Sequence, residues 1–69
     1  MFNRGDIVYC ENNKQVYVIL SIFGNKAVVK NLTNLEDMNS SINISIIKPY
    51  PQEWANRDFY IELSKYFIR

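Results

Sequence analysis

Two apolar runs joined by the pair Gly24-Asn25 constrain this chain more than any other feature. The first run, residues 15–23, is rich in β-branched and aromatic side chains, and the second, residues 26–32, contains Ala27-Val28-Val29. A two-residue loop that begins with glycine matches a type II′ turn, whose first position needs a positive φ. Apolar side chains lie on both faces of the first run, so we expect this strand to be covered on two sides. The sequence therefore predicts a twisted antiparallel hairpin at the centre of the fold.

Two further strands flank the predicted hairpin. Residues 6–10 are β-branched and aromatic, and they end at the pair Asn12-Asn13, which readily adopts a positive φ. After a polar, turn-rich stretch, isoleucines alternate with polar residues over 41–47, which is typical of a half-buried strand. Pro49 and Pro51 follow. Because proline removes a backbone donor from the ladder, we expect the sheet to end there.

Beyond Pro51 the spacing of apolar residues changes to that of a helix. Four side chains spaced four positions apart form one apolar stripe: Ala55, Phe59, Leu63 and Phe67. Proline suits the first turn of a helix, and no glycine interrupts the segment. The same segment also alternates, as a fifth strand would, at Phe59, Ile61 and Leu63. The length of the stripe favours an amphipathic helix over 52–67.

The first half of the chain resembles a known group of folds. Gly5-Asp6-Ile7-Val8-Tyr9 leads to a hairpin made of Val16-Tyr17-Val18-Ile19-Leu20-Ser21-Ile22, Gly24-Asn25-Lys26 and Ala27-Val28-Val29. This arrangement, over residues 4–32, resembles the strand-hairpin-strand core of KOW, Tudor and related SH3-like barrels. Short, twisted strands with two covered faces also favour curling into a barrel. We therefore expect one mostly β domain over 1–69, with an SH3-like antiparallel barrel of four to five strands at about 5–50 and a C-terminal helix.

The chain departs from that group at the positions that bind ligands. A KOW-like segment carries a glycine where Gln15 or Val16 stands here, and the acidic-aromatic loop of peptide-binding SH3 domains is missing. Neither ribosomal RNA binding nor polyproline binding therefore transfers to particular residues of this chain.

Composition argues against catalysis and against covalent or metal cross-links. The chain has no histidine and one cysteine, Cys10, so it has no intrachain disulfide, no common zinc ligand set and no catalytic triad. We expect Cys10, beside Val8 and Tyr9, to be a small core residue. Gly5 and Gly24 are the only glycines, so there is no phosphate-binding loop. The prediction is a protein that is not an enzyme and uses no cofactor or metal.

Charge and hydropathy limit the cellular location and the partners that we expect for this protein. Eight basic and seven acidic residues leave a net charge of +1, which gives no general attraction to nucleic acid. The start of the chain resembles no secretion signal, and the apolar stretches are shorter than a membrane span. We therefore expect a cytoplasmic protein with no membrane partner. Its small size suits an accessory or regulatory protein of a bacterium, phage or plasmid.

Two functions of different classes follow from the exposed residues. In the first, a protein partner or a second copy of the chain binds apolar side chains that the predicted helix leaves uncovered. That candidate interface consists of Tyr50, Trp54, Tyr60, Ile61 and Ile68. Trp54 has an equally good alternative role as a lid on the small core.

In the second function, lysines at strand ends combine with tyrosines to bind single-stranded nucleic acid. The candidate face consists of Tyr9, Lys14, Tyr17, Lys26, Lys30 and Lys48. The structural alternative is that solvated lysines at strand edges discourage aggregation. Since the chain as a whole is not basic, the protein-binding function is the leading hypothesis, and nucleic-acid binding is the alternative.

Overall fold

The computed structural model describes residues 2–54, 57 and 61. It contains one five-stranded antiparallel sheet in the order β4-β3-β2-β1-β5. The strands are β1 Ile7–Cys10, β2 Gln15–Phe23, β3 Lys26–Asn31, β4 Ser40–Asn43 and β5 Ile47–Pro49. Two short 3-10 turns complete the elements, Ile44–Ile46 between β4 and β5, and Gln52–Trp54 after β5. The prediction of a mostly β, antiparallel chain is confirmed.

The central hairpin forms as the sequence predicts. β2 and β3 pair across the two-residue loop, with Phe23 opposite Lys26. Gly24 has a φ of +64°, and Asn25 does not have a positive φ. A positive φ at the first loop position alone is the type II′ pattern. The turn therefore has the right-handed twist that lets two long strands stay paired.

The loop between β1 and β2 differs from the prediction. The positive φ, +60°, falls on Lys14 and not on Asn12 or Asn13. The Lys14 backbone N–H donates to the Cys10 carbonyl at 2.9 Å, and the Asn13 side-chain oxygen accepts from the Gln15 backbone N–H at 3.0 Å. Because Asn13 is used as a side-chain acceptor, the following residue makes the left-handed step.

A bulge in β2 bends the sheet. Ile19 lies opposite Val29, but Ser21 lies opposite Val28, so Leu20 has no partner across the strand pair. An extra residue of this kind bends its strand and increases the local twist. β1 pairs only with the part of β2 before the bulge, while β3 continues along the part after it. β2 therefore belongs to two differently oriented halves of the sheet.

The connection from β4 to β5 requires this curvature. In a flat sheet, β4 and β5 would be four strand spacings apart, about 19 Å, and their joined ends would be offset along the strands by about 26 Å. The link from Asn43 to Ile47 covers at most about 15 Å. The sheet must therefore curl until the end of β4 and the start of β5 lie within that distance. Its nearly equal extents of 27 × 25 × 24 Å agree with a curled sheet and not with a flat one.

The single strand predicted over 41–47 is wrong, because the segment is divided. β4 ends at Asn43, and Ile44–Ile46 form a 3-10 turn. The Asn43 side chain accepts from the Ser45 backbone N–H at 2.9 Å and so caps the turn. Ile47 then starts β5 at the opposite end of the sheet order. Alternating isoleucines describe both parts equally well, so periodicity alone could not locate the break.

The C-terminal helix predicted over 52–67 is also wrong as part of the fold. Its first residues form a 3-10 turn, in which the Trp54 backbone N–H donates to the Pro51 carbonyl at 2.9 Å. No α-helical element is defined in the described part of the chain, in which Arg57 and Ile61 have helical conformation. The remainder of the predicted helix, including Ala55, Phe59, Leu63 and Phe67, lies outside the described residues. Apolar spacing is a weak signal for a helix, since most helix stability comes from packing.

The core lies on the concave side of the sheet. Its side chains come from four strands: Val8, Cys10, Tyr17, Ile19, Ala27, Val29 and Ile47. Phe2, Ile42 and Ile44 pack against this cluster. On the other face of β2, Val18 is also fully buried, which confirms that this strand is covered on two sides before its bulge.

Candidate interaction surface

Three aromatic rings follow one another across the surface beside β1 and β5. The ring centroids of Tyr9 and Tyr50 are 6.3 Å apart at an interplanar angle of 76°. Those of Tyr50 and Trp54 are 5.9 Å apart at 79°. Edge-to-face pairs at these distances are favourable beyond the area they bury. We call Tyr9, Tyr50 and Trp54 the aromatic row.

The strands determine where each ring lies. Val8 and Cys10 point into the core, so Tyr9 between them points outward. Tyr50 follows β5, and its backbone N–H donates to the Ile7 carbonyl at 3.0 Å, which extends the pairing of β5 with β1. The 3-10 turn after Pro51 then brings Trp54 back over Tyr50.

Trp54 is the exposed end of the aromatic row. Its exposed fraction is 64%, while Tyr9 and Tyr50 are half-buried. The tryptophan is therefore not a lid on the core. A large ring that is held from one side and open on the other has the geometry of an interface anchor.

An ion pair lies beside the aromatic row. Lys48 is the cross-strand partner of Tyr9, and its ammonium lies 3.1 Å from the Glu11 carboxylate. The Tyr9 hydroxyl approaches the other oxygen of Glu11 at 3.5 Å. More than half of each charged side chain is exposed, so the pair contributes at most about 1 kcal/mol. Its charges give the apolar rings a polar rim.

The structure brings together only part of the predicted protein interface. Tyr50 and Trp54 are in contact, and Ile61 is 49% exposed. Tyr60 and Ile68 lie outside the described residues. Tyr9, which was predicted to lie on the nucleic-acid face, completes the aromatic row instead. Tyr9 lies beside Tyr50 because β5, which ends at Pro49, pairs with β1. No local sequence pattern indicates this pairing.

The six residues of the predicted nucleic-acid face do not form one surface. Tyr17 is 7% exposed and belongs to the core, where its hydroxyl accepts from the Asn13 side chain at 2.8 Å. Lys30 is also buried, at 9%. Lys14 and Lys26 are exposed but flank opposite ends of the nine-residue strand β2. Lys48 is paired with Glu11.

Lys30 instead holds the loop between β3 and β4. Its ammonium donates to the backbone carbonyl of Leu35 at 2.6 Å and approaches that of Asp37 at 3.4 Å. A lysine that is buried in this way must have acceptors for its donors, and the loop carbonyls supply them. The loop is therefore attached to the sheet by the side chain that the sequence analysis assigned to ligand binding.

The neighbouring Asn31 organises the same loop. Its side-chain N–H groups donate to Gln15 at 2.9 Å and to the Asp37 carboxylate at 3.1 Å. Its oxygen accepts from the backbone N–H groups of Thr33 and Asn34, both at 2.8 Å. The residue pattern predicts only a polar, turn-rich loop here. The available signal was an asparagine at a strand end followed by Thr33 and Asn34, a pattern typical of side-chain-capped turns.

Two further kinds of site are absent from the described residues, a metal centre and a membrane-spanning helix. Among them, no three His, Cys, Asp or Glu side chains are close enough to hold a metal ion. No helix in the described part is long and apolar enough to cross a membrane. Comparison of the chain with protein-family models, with curated proteins and with solved structures gives no match.

Proposed function

We propose that this protein is a non-enzymatic interaction module that binds a protein partner through the aromatic row. The observation that carries the proposal is the exposure of Trp54, at 64%, on an otherwise packed set of rings. Tryptophan and tyrosine are the side chains most enriched among residues that dominate binding energy. An accessory or regulatory role suits a chain of 69 residues with this surface.

The preorganisation of the rings supports the proposal. Tyr50 is held between Tyr9 and Trp54 by two edge-to-face contacts, so little side-chain entropy remains to be lost on binding. The Lys48 and Glu11 charges at the border would remain at the rim of a complex, where they influence orientation and association rate more than affinity.

The resemblance to KOW, Tudor and related SH3-like barrels remains part of this proposal. Its support is the strand order, in which β5 returns to pair with β1, and the bend of β2 that lets one strand serve both halves of the sheet. Small barrels of this type are frequent carriers of binding surfaces, but function has to be argued from the surface itself. Here that surface is the aromatic row.

A displayed library of random peptides tests the proposal. We expect the folded chain to enrich a set of related peptides, and Trp54→Ala to weaken the affinity of each by at least about tenfold. The chain has a single tryptophan, so binding is also expected to shift Trp54 fluorescence to shorter wavelength as the ring leaves water.

Phe23→Ala is the matched control. Phe23 is 56% exposed and lies at the tip of the β2–β3 hairpin, at the end of β2 that does not pair with β1. Its removal is expected to leave peptide affinity unchanged. Equal binding by wild type and Trp54→Ala, or failure of the folded chain to enrich any sequence, would refute the proposed function.

A further inference from the structure

The two edge strands of the sheet differ in their capacity to accept another strand. In an antiparallel pair, successive residues direct their backbone groups alternately toward and away from the neighbouring strand. Tyr50 donates its backbone N–H to the Ile7 carbonyl of β1. In β5, the backbone groups of Ile47 and Pro49 therefore point away from β1. The Ile47 N–H donates to the Ile44 carbonyl, and proline has no N–H. The outer side of β5 therefore has no free backbone donor.

The outer side of β4 is open. The Ile44 backbone N–H donates to the Asn25 carbonyl at 2.9 Å, so the alternating pattern directs the N–H and C=O of Ser41 away from β3. No hydrogen bond within the described part of the chain uses these two groups. Ser41 is exposed, and the segment from 38 to 47 contains no charged residue and no proline. Charges and prolines are the usual means of preventing strand pairing at an edge.

Three of the seven exposed large hydrophobic side chains in the described chain flank β4 in the sequence. Of the large hydrophobic residues exposed in the described chain, Leu35 and Met38 precede β4 and Ile46 follows it. Met38 is 89% exposed, and Ile46 is 38% exposed. An unpaired, uncharged backbone edge flanked by apolar side chains is suited to strand addition.

We propose that β4 pairs with β4 of a second copy of this chain, antiparallel and about a two-fold axis at Ser41. At that axis the backbone N–H of each Ser41 donates to the C=O of the other Ser41. Both outward-facing backbone groups of Ser41 therefore gain a hydrogen-bond partner from the second copy. The absence of charge along β4 means that no like charges oppose each other across the axis.

The difference between the edges also determines the size of the assembly. An isologous β4–β4 contact uses the open edge of both copies. The β5 edge that remains on each copy has carbonyl acceptors but no free donor, so it offers a third chain only half of a strand ladder. The product is a closed dimer with a ten-stranded sheet and not a filament.

Charge substitution at Ser41 tests the dimer. Sedimentation velocity on the full chain is expected to show dimers whose fraction increases with concentration up to about 1 mM. Ser41→Lys places two ammonium groups opposite each other, and Ser41→Glu places two carboxylates there, so each variant alone is expected to be monomeric. An equimolar mixture of the two is expected to form a heterodimer, and this recovery is expected to decrease at high salt.

Ser21→Lys is the matched control. Ser21 is exposed and shares a cross-strand row with Ser41 through Val28, but it lies two strands inside the edge. This variant is expected to dimerise as the wild type does. Amide NMR spectra verify that each variant keeps the fold, and a loss of folding in Ser41→Lys is excluded as the cause if mixing restores the dimer.

The outcomes separate this dimer from the proposed partner surface. A wild type that stays monomeric at 1 mM, a Ser41→Lys variant that still dimerises, or a mixture that does not associate would each overturn the β4–β4 contact. Trp54→Ala is expected to leave the dimer unchanged, since the aromatic row lies beside β1 and β5. A dimer lost in Trp54→Ala and retained in Ser41→Lys would assign self-association to the aromatic row instead.

Discussion

The amide of Asn31 uses both of its N–H groups and accepts two hydrogen bonds at its oxygen, although the residue is only 3% exposed. A buried amide with every group satisfied fixes its surroundings, because each alternative arrangement would leave a polar atom unpaired. The order of the β3–β4 loop therefore depends on one side chain more than on the loop's own composition.

Replacing this residue tests that dependence. Asn31→Ala is expected to lower the free energy of unfolding by about 1 to 2 kcal/mol, because the buried amide loses four hydrogen bonds at once, although most of its partners are exposed and can bond to water instead. Urea denaturation followed by circular dichroism measures the change. Asn12→Ala, an exposed asparagine in the β1–β2 loop, is the control and is expected to be nearly neutral. Equal effects at the two positions would mean that the loop network adds little to stability.

At the level of single elements, the β2–β3 hairpin depends on the handedness of its turn. Gly24 has a φ of +64°, and no atom lies within 4 Å of the position that an added Cβ would occupy. An added side chain would therefore meet no neighbouring atom, but an L residue disfavours the positive φ that the turn requires. Replacement by L-alanine is expected to lower the free energy of unfolding by about 1 to 2 kcal/mol.

A chain of 69 residues can be made by chemical synthesis, which provides a mirror-image control. D-alanine at position 24 favours a positive φ and adds the same number of atoms. It is expected to retain wild-type stability or to raise it by up to about 1 kcal/mol. Thermal unfolding of the two synthetic proteins makes the comparison. If both alanines destabilise equally, the effect is steric and the argument from φ is wrong.

The 3-10 turn between β4 and β5 depends on its cap. The Asn43 side chain accepts from the Ser45 backbone N–H, and the turn separates two strands that lie at opposite ends of the sheet. Asn43→Ala is expected to lower stability by about 1 kcal/mol and to accelerate hydrogen exchange at Ser45. Asn39→Ala, exposed just before β4, is the control. A faster exchange at Ser45 in the control would contradict the role of the cap.

At the scale of the whole molecule, Cys10 reports on opening of the core. It is 3% exposed within the main cluster, and its thiol is free. A disulfide reagent is expected to react with it slowly in buffer, and faster with urea in proportion to the unfolded fraction. Cys10→Ala is the unreactive control for the reagent. Reaction in buffer at the rate of an exposed thiol would show that the core opens without unfolding.

How much of this structure was predictable varies with the range of the interactions involved. The hairpin and β1 were predicted because their signals are local, namely β-branched runs and a glycine at a two-residue turn. The division of 41–47 was missed because Ile42 and Ile44 alternate like a strand on both sides of the break, while Asn43 decides the turn. The helix prediction failed because an apolar stripe shows periodicity and not what it packs against.

The candidate site shows the same distinction. Trp54 and Tyr50 were found as neighbours in the sequence, but Tyr9 lies some forty positions away and reaches them only through the pairing of β5 with β1. Lys30 was assigned to a ligand face because lysines near the strand ends combine with tyrosines, as in proteins that bind single-stranded nucleic acid. In the structure the β3–β4 loop covers Lys30, and the lysine ammonium donates to the Leu35 carbonyl of that loop.

The sequence by itself determined the central hairpin and the absence of histidine and of a second cysteine, because these are local or additive properties. Only the tertiary structure decided which strands become edges, which lysine is buried and which rings meet. Those features depend on strand pairings between distant residues, and the curl that a bulge at Leu20 imposes on the sheet selects them.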